Sequence, residues 1–157
     1  MAKEIERKFR LYHVPTSIML GAGAYVEQGY LLTENGELRV RRKDLDCFIT
    51  VKGEGTLSRD EWEEKIPLWV FDTLWPATEG RRIEKRRYTV YSGEDYKLEI
   101  DEYDGALKGL VTMECEFPSE EAAHAFYPPV WVGTAVDVTA DKAYKNKNLA
   151  VNGLPQK

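Results

Sequence analysis

The sequence predicts a mainly β fold of the α+β class, in which about eight strands form a barrel or a sandwich and a few short helices pack outside. Short stretches that alternate between polar and apolar residues recur along the 157 residues. Turn-forming residues separate these stretches, most clearly Asn35-Gly36, which is a strong hairpin signal. Charged residues also recur two positions apart, and this spacing places both members of a pair on one face of a strand.

The alternating stretches define the predicted strands. They cover residues 2–11, 25–32, 37–43, 47–53, 59–66, 82–91, 95–103 and 110–117. The turns between them contain residues 35–36, 44–46, 53–55, 92–94 and 105–109. Strands joined by such short turns pair as antiparallel hairpins, so the early part of the chain is predicted to be a β-meander.

Four further segments are predicted to be helical. They cover residues 13–21, 67–75, 119–126 and a last segment that ends near Val151. Pro76 ends the second helix, and Ser119 caps the third. Either Thr139 or Asp141 caps the last helix, and residues 131–138 are not assigned to an element.

The paired charges mark one face of the predicted sheet. Its basic members are Lys8, Arg39, Arg41, Lys52, Lys85 and Arg87. Its acidic members are Glu4, Glu6, Glu61, Glu63, Glu99, Asp101, Glu114 and Glu116. The residues between them are mostly apolar, for example Val40, Val51 and Ile100, and they form an opposite face that the helices can cover.

Two arrangements explain this charged face. In the first, the sheet is closed and the charges line its lumen, where their burial is very costly unless they are paired or bound to ions. Carboxylates without His or Cys suit hard cations such as Mg²⁺ or Mn²⁺, and Arg and Lys suit phosphate oxygens. Both together indicate a long, highly anionic ligand such as a triphosphate. In the second arrangement, the charges form the solvated outer face of an antiparallel sheet.

The composition limits the class of protein. A formal net charge of −5 argues against a general nucleic-acid-binding surface, for which a basic balance is expected. No apolar stretch approaches the length of a membrane helix and the start of the chain lacks the pattern of a secretory signal, so we expect a cytoplasmic protein. Cys47 and Cys115 are too few for a disulfide framework. We expect residues 1–157 to form a single domain.

The stretch Glu4-Ile5-Glu6-Arg7-Lys8 resembles the ExExK signature of the CYTH superfamily, whose members are also called triphosphate tunnel metalloenzymes. Matching segments follow in order: Leu38-Arg39-Val40-Arg41, Thr50-Val51-Lys52, Arg59-Asp60-Glu61-Trp62-Glu63, Ile83-Glu84-Lys85-Arg86-Arg87-Tyr88, Leu98-Glu99-Ile100-Asp101, Met113-Glu114-Cys115-Glu116, Asp137-Val138-Thr139, Tyr144-Lys145-Asn146 and Leu149-Ala150. The resemblance implies an eight-stranded antiparallel closed β-barrel that forms a tunnel and acts on triphosphates with the help of metal ions. Within the family, the chain resembles bacterial inorganic tripolyphosphatases.

The resemblance also implies roles for the charged residues. Phosphate oxygens would be held by Lys8, Arg39, Arg41, Lys52, Lys85 and Arg87. One or two divalent ions, Mg²⁺ or Mn²⁺, would be held by Glu4, Glu6, Glu63, Asp101, Glu114 and Glu116. The attacking water would be activated by a second metal ion, by Lys52, or by a glutamate such as Glu4 or Glu6, and the sequence does not choose among them. Glu61 and Glu99 either bind metal or brace a neighbouring Arg or Lys.

A compact tunnel lined by charge offers little apolar surface for a base, which favours hydrolysis of inorganic tripolyphosphate to pyrophosphate and phosphate. The alternatives are a class IV-type adenylyl cyclase, a thiamine or nucleoside triphosphatase, and a polyphosphate-binding module without catalysis. The expected partner is a small-molecule triphosphate, with no nucleic acid and no membrane. The sequence does not decide between a monomer and a homodimer.

Overall fold

The computed structural model describes residues 2–16, 20–92 and 96–155. Nine strands lie within these residues and form one antiparallel sheet. Their bounds are β1 Ala2–Leu11, β2 Ala24–Leu32, β3 Glu37–Lys43, β4 Asp46–Lys52, β5 Ser58–Ile66, β6 Arg82–Ser92, β7 Tyr96–Tyr103, β8 Val111–Glu116 and β9 Ala135–Asp137. The eight strands expected from the sequence are confirmed to within one residue at each end, and β9 lies in the unassigned segment 131–138.

Strand β1 closes the sheet into a barrel. The strand order is β5-β4-β3-β2-β6-β7-β8-β1, and β1 also pairs with β5. Residues 2–5 of β1 lie beside β5, and residues 9–11 lie beside β9 along the same edge. The prediction of an eight-stranded antiparallel closed barrel is therefore confirmed, with β9 as a short additional strand.

Three short α-helices lie in the described part of the chain. They are α1 Leu68–Leu74, α2 Glu120–Ala125 and α3 Asn146–Asn152. Helix α1 falls within the predicted segment 67–75. The prediction of the cap of α2 is confirmed, because Ser119 Oγ accepts a hydrogen bond of 3.1 Å from the backbone N–H of Ala122. None of the described helices has the length and apolar character that crossing a membrane requires.

Two helix predictions are wrong. Residues 13–16 and 20–21 are not helical, and residues 17–19 of that predicted helix lie outside the described part of the chain. The predicted last helix is interrupted, because Asp141 caps only the 3₁₀ turn Lys142–Tyr144 and Lys145 is extended, with φ −64° and ψ 136°. Helix α3 therefore begins only at Asn146. Part of the predicted turn at 92–94 also lies outside the described residues.

The apolar faces of the strands form cores on the outside of the barrel wall. Phe9, Met113 and Phe117 pack with Phe126, which directly follows α2. On the opposite wall, Val40 and Cys47 pack against Phe71 of α1. Because these cores take up the apolar residues, the other face of the sheet is left to line the lumen.

One end of the barrel is covered by the C-terminal segment, residues 138–152. Tyr30 and Tyr103 pack with Leu149 of α3 in a third buried cluster. The ammonium groups of Lys145 and Lys147 donate hydrogen bonds to backbone carbonyls of the turns that precede β5 and β3, at Gly55 and Thr33. The C-terminal segment is thereby fixed across the turns at this end of the barrel.

Candidate active site in the barrel lumen

The charged face predicted from the sequence points into the lumen. The lumen holds a cavity of about 190 Å³. All six predicted phosphate-binding residues line it, namely Lys8, Arg39, Arg41, Lys52, Lys85 and Arg87. The predicted acidic residues that line it are Glu4, Glu6, Glu61, Glu63, Glu99, Glu114 and Glu116. The alternative of a solvated outer face is therefore wrong, because these side chains converge on one enclosed space.

The pairing of β1 with β8 brings carboxylates together. Glu6 lies directly opposite Glu116, and Lys8 lies directly opposite Glu114. Burial and the neighbouring carboxylates of Glu114 and Glu4 raise the pKa of Glu6 well above its ordinary value. Burial and the charge of Glu4 also raise the pKa of Glu116. In the described part of the chain, neither Glu6 nor Glu116 has a side-chain hydrogen bond or an ion pair that would balance this charge.

Lys52 and Glu4 form a close ion pair on the next wall. The Lys52 ammonium donates hydrogen bonds of 2.9 and 3.1 Å to the two carboxylate oxygens of Glu4. It also lies 3.2 Å from Glu61, so Glu61 braces Lys52 in this arrangement. Burial alone would raise the pKa of Glu4. The charge of Lys52 and a hydrogen bond with Glu61 lower it by more than burial raises it, so the pKa lies below its ordinary value. Glu4 is therefore ionised at neutral pH.

Asp101 lies behind the cavity wall and holds two cations. It is fully buried, with 0% of its surface exposed. Lys85 donates a hydrogen bond of 2.8 Å to Oδ2, and Arg87 donates to both oxygens at 2.7 and 2.8 Å. Burial and the charge of Arg87 lower the pKa of Lys85 to about 8. Arg87 also lies 3.0 Å from Glu99, so Glu99 braces Arg87.

Strand β3 carries two arginines whose Nε donors have no partner among the described residues. Arg39 is only 7% exposed, it has no ion pair within the described residues, and its Nε has no hydrogen-bond partner. Arg41 donates a hydrogen bond of 3.1 Å to Glu63, but its Nε also has no partner in the part of the chain that the structure describes. Burial by itself lowers the pKa of Arg39, but Tyr30 and Glu37 raise it more, so the guanidinium stays charged. A buried, charged guanidinium with an unused donor is a binding site for an anion.

Sequence reasoning missed several residues that line the cavity. Arg59 precedes Glu61 by two positions and Lys97 precedes Glu99 by two, so the same spacing rule could have found both. Gln28 is uncharged and gave no signal. The C-terminal segment contributes Thr139, Asp141, Tyr144, Lys145 and Asn146. The resemblance matches segments 137–139 and 144–146 but gives them no role, because this part of the chain reaches the lumen only through the closure of the barrel.

The carboxylates of β1 and β8 fit a divalent metal ion. No group of three or more His, Cys, Asp or Glu side chains among the described residues forms a complete protein cage for one. Mg²⁺ normally binds through one or two carboxylates together with substrate phosphates and water, so a complete cage is not needed. Glu6 and Glu116 offer hard oxygen donors, and a cation would relieve the repulsion that Glu6 experiences from Glu114 and Glu4. The other predicted metal ligands stay a prediction. Both carboxylate oxygens of Asp101 already accept hydrogen bonds from Lys85 and Arg87, and Glu63 forms an ion pair with Arg41 on another wall of the barrel.

Comparisons with known proteins agree with this geometry. The sequence profile of the CYTH domain matches residues 2–126. The inorganic triphosphatase of Nitrosomonas europaea is 46% identical over 151 residues, which are 95% of this chain and 97% of that protein. The inorganic triphosphatase of Acetivibrio thermocellus is 37% identical over 97% of this chain and 96% of that protein. The chain in the crystal structure of the inorganic triphosphatase NE1496 has 42% sequence identity to this chain. The alignment covers 99% of both chains, with a TM-score of 0.69.

Proposed function

The chain belongs to the CYTH domain family, and we propose that it hydrolyses inorganic tripolyphosphate to pyrophosphate and phosphate inside its barrel. The observation that carries this proposal is the buried Arg39 guanidinium, which stays charged, forms no close ion pair among the described residues and leaves its Nε without a hydrogen-bond partner, although Glu37 and Glu4 lie near enough to raise its pKa. Glu6 and Glu116 line the same cavity, and among the described residues neither forms a close ion pair. A ligand that carries many negative charges and a bound metal ion balances the charge of the basic side chains with its phosphates and that of the carboxylates with its metal. Two relatives that cover nearly the whole chain are inorganic triphosphatases, which supports the same substrate.

The basic residues hold the phosphate chain. Arg39 and Arg41 have donors free for phosphate oxygens, and Lys8 and Lys52 add ammonium groups from the neighbouring walls. Lys85 and Arg87 are fixed by Asp101, so their charges are held in place before the substrate enters. We therefore assign Asp101 to the positioning of Lys85 and Arg87. These cations stabilise the negative charge that develops on the leaving phosphate.

Glu4 orients the attacking water. Its pKa is lowered, so it is ionised and accepts a hydrogen bond from water at neutral pH. Lys52 fixes the position of this carboxylate by hydrogen bonds to both of its oxygens. Phosphoryl transfer depends mainly on positioning and on charge stabilisation, so Glu4 needs to align the water in line with the scissile bond rather than deprotonate it fully.

Membership of this family implies a divalent metal ion, and Glu6 and Glu116 are the residues that would hold it, with Glu114 close by. We propose Mg²⁺ or Mn²⁺, because the donors are carboxylate oxygens without His or Cys. When bound, the ion supplies positive charge that neutralises the triphosphate oxygens. The protein side chains orient the phosphate chain and the attacking water.

Inorganic tripolyphosphate is favoured over an organic triphosphate by the lining of the cavity. Val138 and Tyr144 are the apolar or aromatic members among the described lining residues, and they lie at the end covered by the C-terminal segment. The remaining lining residues are charged or polar. A nucleobase or a thiazole ring therefore finds little apolar surface to stack on.

A phosphate-release panel tests the proposal. The protein is incubated with Mg²⁺ and with tripolyphosphate, ATP, thiamine triphosphate or pyrophosphate, and all products are separated. We expect the highest rate with tripolyphosphate, equal amounts of phosphate and pyrophosphate, and a loss of most activity in Lys52→Ala. Cyclic AMP from ATP would indicate a cyclase instead. Tight binding of tripolyphosphate without any release of phosphate would indicate a binding module.

A further inference from the structure

The C-terminal segment holds Lys8 at both its main chain and its side chain. The Lys8 N–H donates a hydrogen bond of 3.0 Å to Thr139 Oγ1, and its carbonyl accepts one of 2.9 Å from the Val138 N–H. Its ammonium donates a hydrogen bond of 2.6 Å to the Tyr144 carbonyl and one of 3.3 Å to Asn146 Oδ1. Lys8, one of the predicted phosphate-binding residues, is thus anchored by the C-terminal segment. This segment follows the residues that the family profile matches, which end at 126.

Asn146 connects Lys8 to a second buried residue. The Tyr103 hydroxyl donates a hydrogen bond of 2.7 Å to Asn146 Oδ1, the same oxygen that accepts from Lys8. Tyr103 is only 1% exposed, so its ring cannot move far without disturbing the core beneath α3. The Asn146 carboxamide is consequently fixed by the barrel wall, and it transmits that fixed position to the Lys8 ammonium.

This anchoring keeps Lys8 away from its nearest carboxylate. A Lys ammonium has three donors, and two of them go to Tyr144 and Asn146. Glu114 lies directly opposite Lys8 in the β1–β8 register, yet its Oε1 is 4.0 Å from the ammonium, beyond hydrogen-bond distance. Opposite charges in a buried site attract strongly, so a Lys8 without these acceptors would close onto Glu114.

We propose that Asn146 is a positioning residue for tripolyphosphate binding, which holds the Lys8 ammonium toward the lumen so that its charge meets a phosphate instead of Glu114. The inference rests on the proposed function, because it assumes that the lumen binds a phosphate chain. Asn146 acts through Lys8 and the hydroxyl of Tyr103. Loss of the carboxamide lets Lys8 and Glu114 neutralise each other, and the site then loses a cation for phosphate.

The test is a steady-state comparison of Asn146→Ala with the wild-type protein on tripolyphosphate and Mg²⁺. We expect KM to rise about tenfold, the size of a lost hydrogen bond to a charged group, while kcat stays within about twofold. This split is expected because Lys8 contacts phosphate equally before and during the reaction. The control is Asn148→Ala in the same helix, whose side-chain amide donates to the Lys142 carbonyl at 2.7 Å and does not line the cavity. Its KM should be unchanged.

A double-mutant cycle separates positioning from a general structural effect. Tyr103→Phe removes the hydroxyl that fixes Asn146, together with a long hydrogen bond of 3.4 Å from Thr112 Oγ1, and it should raise KM by a smaller factor, about threefold. Adding Tyr103→Phe to Asn146→Ala should raise KM no further, because the hydroxyl acts through the carboxamide. If Asn146→Ala does not fold, Tyr103→Phe carries the test together with Asn146→Asp. The added carboxylate of Asn146→Asp would pair with Lys8 as Glu114 would, so this variant should raise KM as well.

Two results would overturn the inference: an Asn146→Ala KM equal to that of Asn148→Ala, or effects of Asn146→Ala and Tyr103→Phe that simply multiply. An inactive wild-type protein would overturn the proposed function alone. In that case calorimetric binding of tripolyphosphate decides the inference, which predicts about tenfold weaker affinity for Asn146→Ala and unchanged affinity for Asn148→Ala.

Discussion

Asp101 and Arg87 form a two-pronged ion pair inside the barrel wall, with Arg87 Nε 2.7 Å from Oδ1 and the Arg87 terminal nitrogen 2.8 Å from Oδ2. Lys85 donates a third hydrogen bond to the same carboxylate at 2.8 Å. The two strands are in register at this point, because Arg87 lies directly opposite Asp101. This one carboxylate holds two of the lumen cations, and it balances their buried charge.

Removing the charge of Asp101 should destabilise the barrel strongly. Asp101→Asn leaves Lys85 and Arg87 buried with less counter-charge, and breaking a buried ion pair in this way costs about 3–5 kcal/mol. Urea denaturation of the ligand-free protein measures this free energy of unfolding. The control is Asp137→Asn, which breaks the ion pair between Asp137 and Arg7. The Asp137 side chain is 47% exposed, so this substitution should cost less than about 1 kcal/mol. An equal loss in the free energy of unfolding in the two variants would contradict the role of Asp101 in balancing the buried charges of Lys85 and Arg87.

Glu6 should make the protein without metal less stable as the pH rises. Its pKa in the folded protein is raised above the ordinary value of 4.5, so the folded state binds more protons than the unfolded state just above pH 4.5. Stability therefore falls as pH rises from 4.5 through the folded pKa, and the full penalty is present above it. Glu6→Gln removes this penalty.

Thermal unfolding in EDTA at several pH values measures this effect. Glu6→Gln should have the higher Tm at pH 8, and its advantage should shrink toward pH 4.5. The same variant should lose about 100-fold or more of its tripolyphosphate hydrolysis, because it removes a predicted metal ligand. A Tm difference that does not change with pH would show that the charge of Glu6 is already balanced.

Calcium should bind the lumen but support hydrolysis poorly. Its longer and more flexible coordination positions phosphate and water less strictly than the octahedral shell of Mg²⁺. We expect the rate with Ca²⁺ to be at most about a tenth of that with Mg²⁺, although both ions with tripolyphosphate should raise the Tm by binding the folded state. Phosphate release measured after EDTA treatment and addition of each ion checks this. Similar rates with the two ions would contradict the proposed role of the carboxylates.

Gly29 marks a close contact between β2 and the turn that follows α1. A Cβ atom at this position would lie 2.5 Å from Thr78 Cβ, and Thr78 is fully buried. Gly29→Ala should therefore lower the free energy of unfolding by about 1–3 kcal/mol through overpacking. Gly53→Ala is the control, since its nearest neighbour would be 3.8 Å away. Equal stability of the two variants would contradict this packing.

The strands were predictable because their signals are local. Asn35 and Gly36 both have positive φ, 58° and 115°, as a tight hairpin requires, and they fix the start of β3. The alternation of charges placed Arg39 and Arg41 on one face. It did not say that this face is enclosed, because closure depends on the pairing of β1 with β5, which are far apart in the sequence.

The C-terminal helix and the partners of some site residues were not predictable, because they depend on contacts between residues that are far apart in the sequence. Asp141 has the sequence signal of a helix cap, but it serves a 3₁₀ turn, and Lys145 stays extended where its ammonium reaches the Gly55 carbonyl. Asp101 is predicted as a metal ligand, and that role stays a prediction, but its hydrogen bonds to Lys85 and Arg87 were not foreseen. Its partners depend on the cross-strand register that brings Arg87 opposite to it, and a single sequence does not contain this information.

The most direct test of the account compares two arginines of β3 that point to opposite faces. Arg39 faces the lumen, whereas Arg42 faces outward and donates a hydrogen bond of 2.9 Å to the Asp44 carbonyl. Calorimetric titration with tripolyphosphate and Mg²⁺ should show at least about 30-fold weaker binding for Arg39→Ala and a change below about threefold for Arg42→Ala. Equal affinities in these two variants, or no binding by the wild-type protein, would contradict the claim that the inward-facing cations hold a phosphate chain.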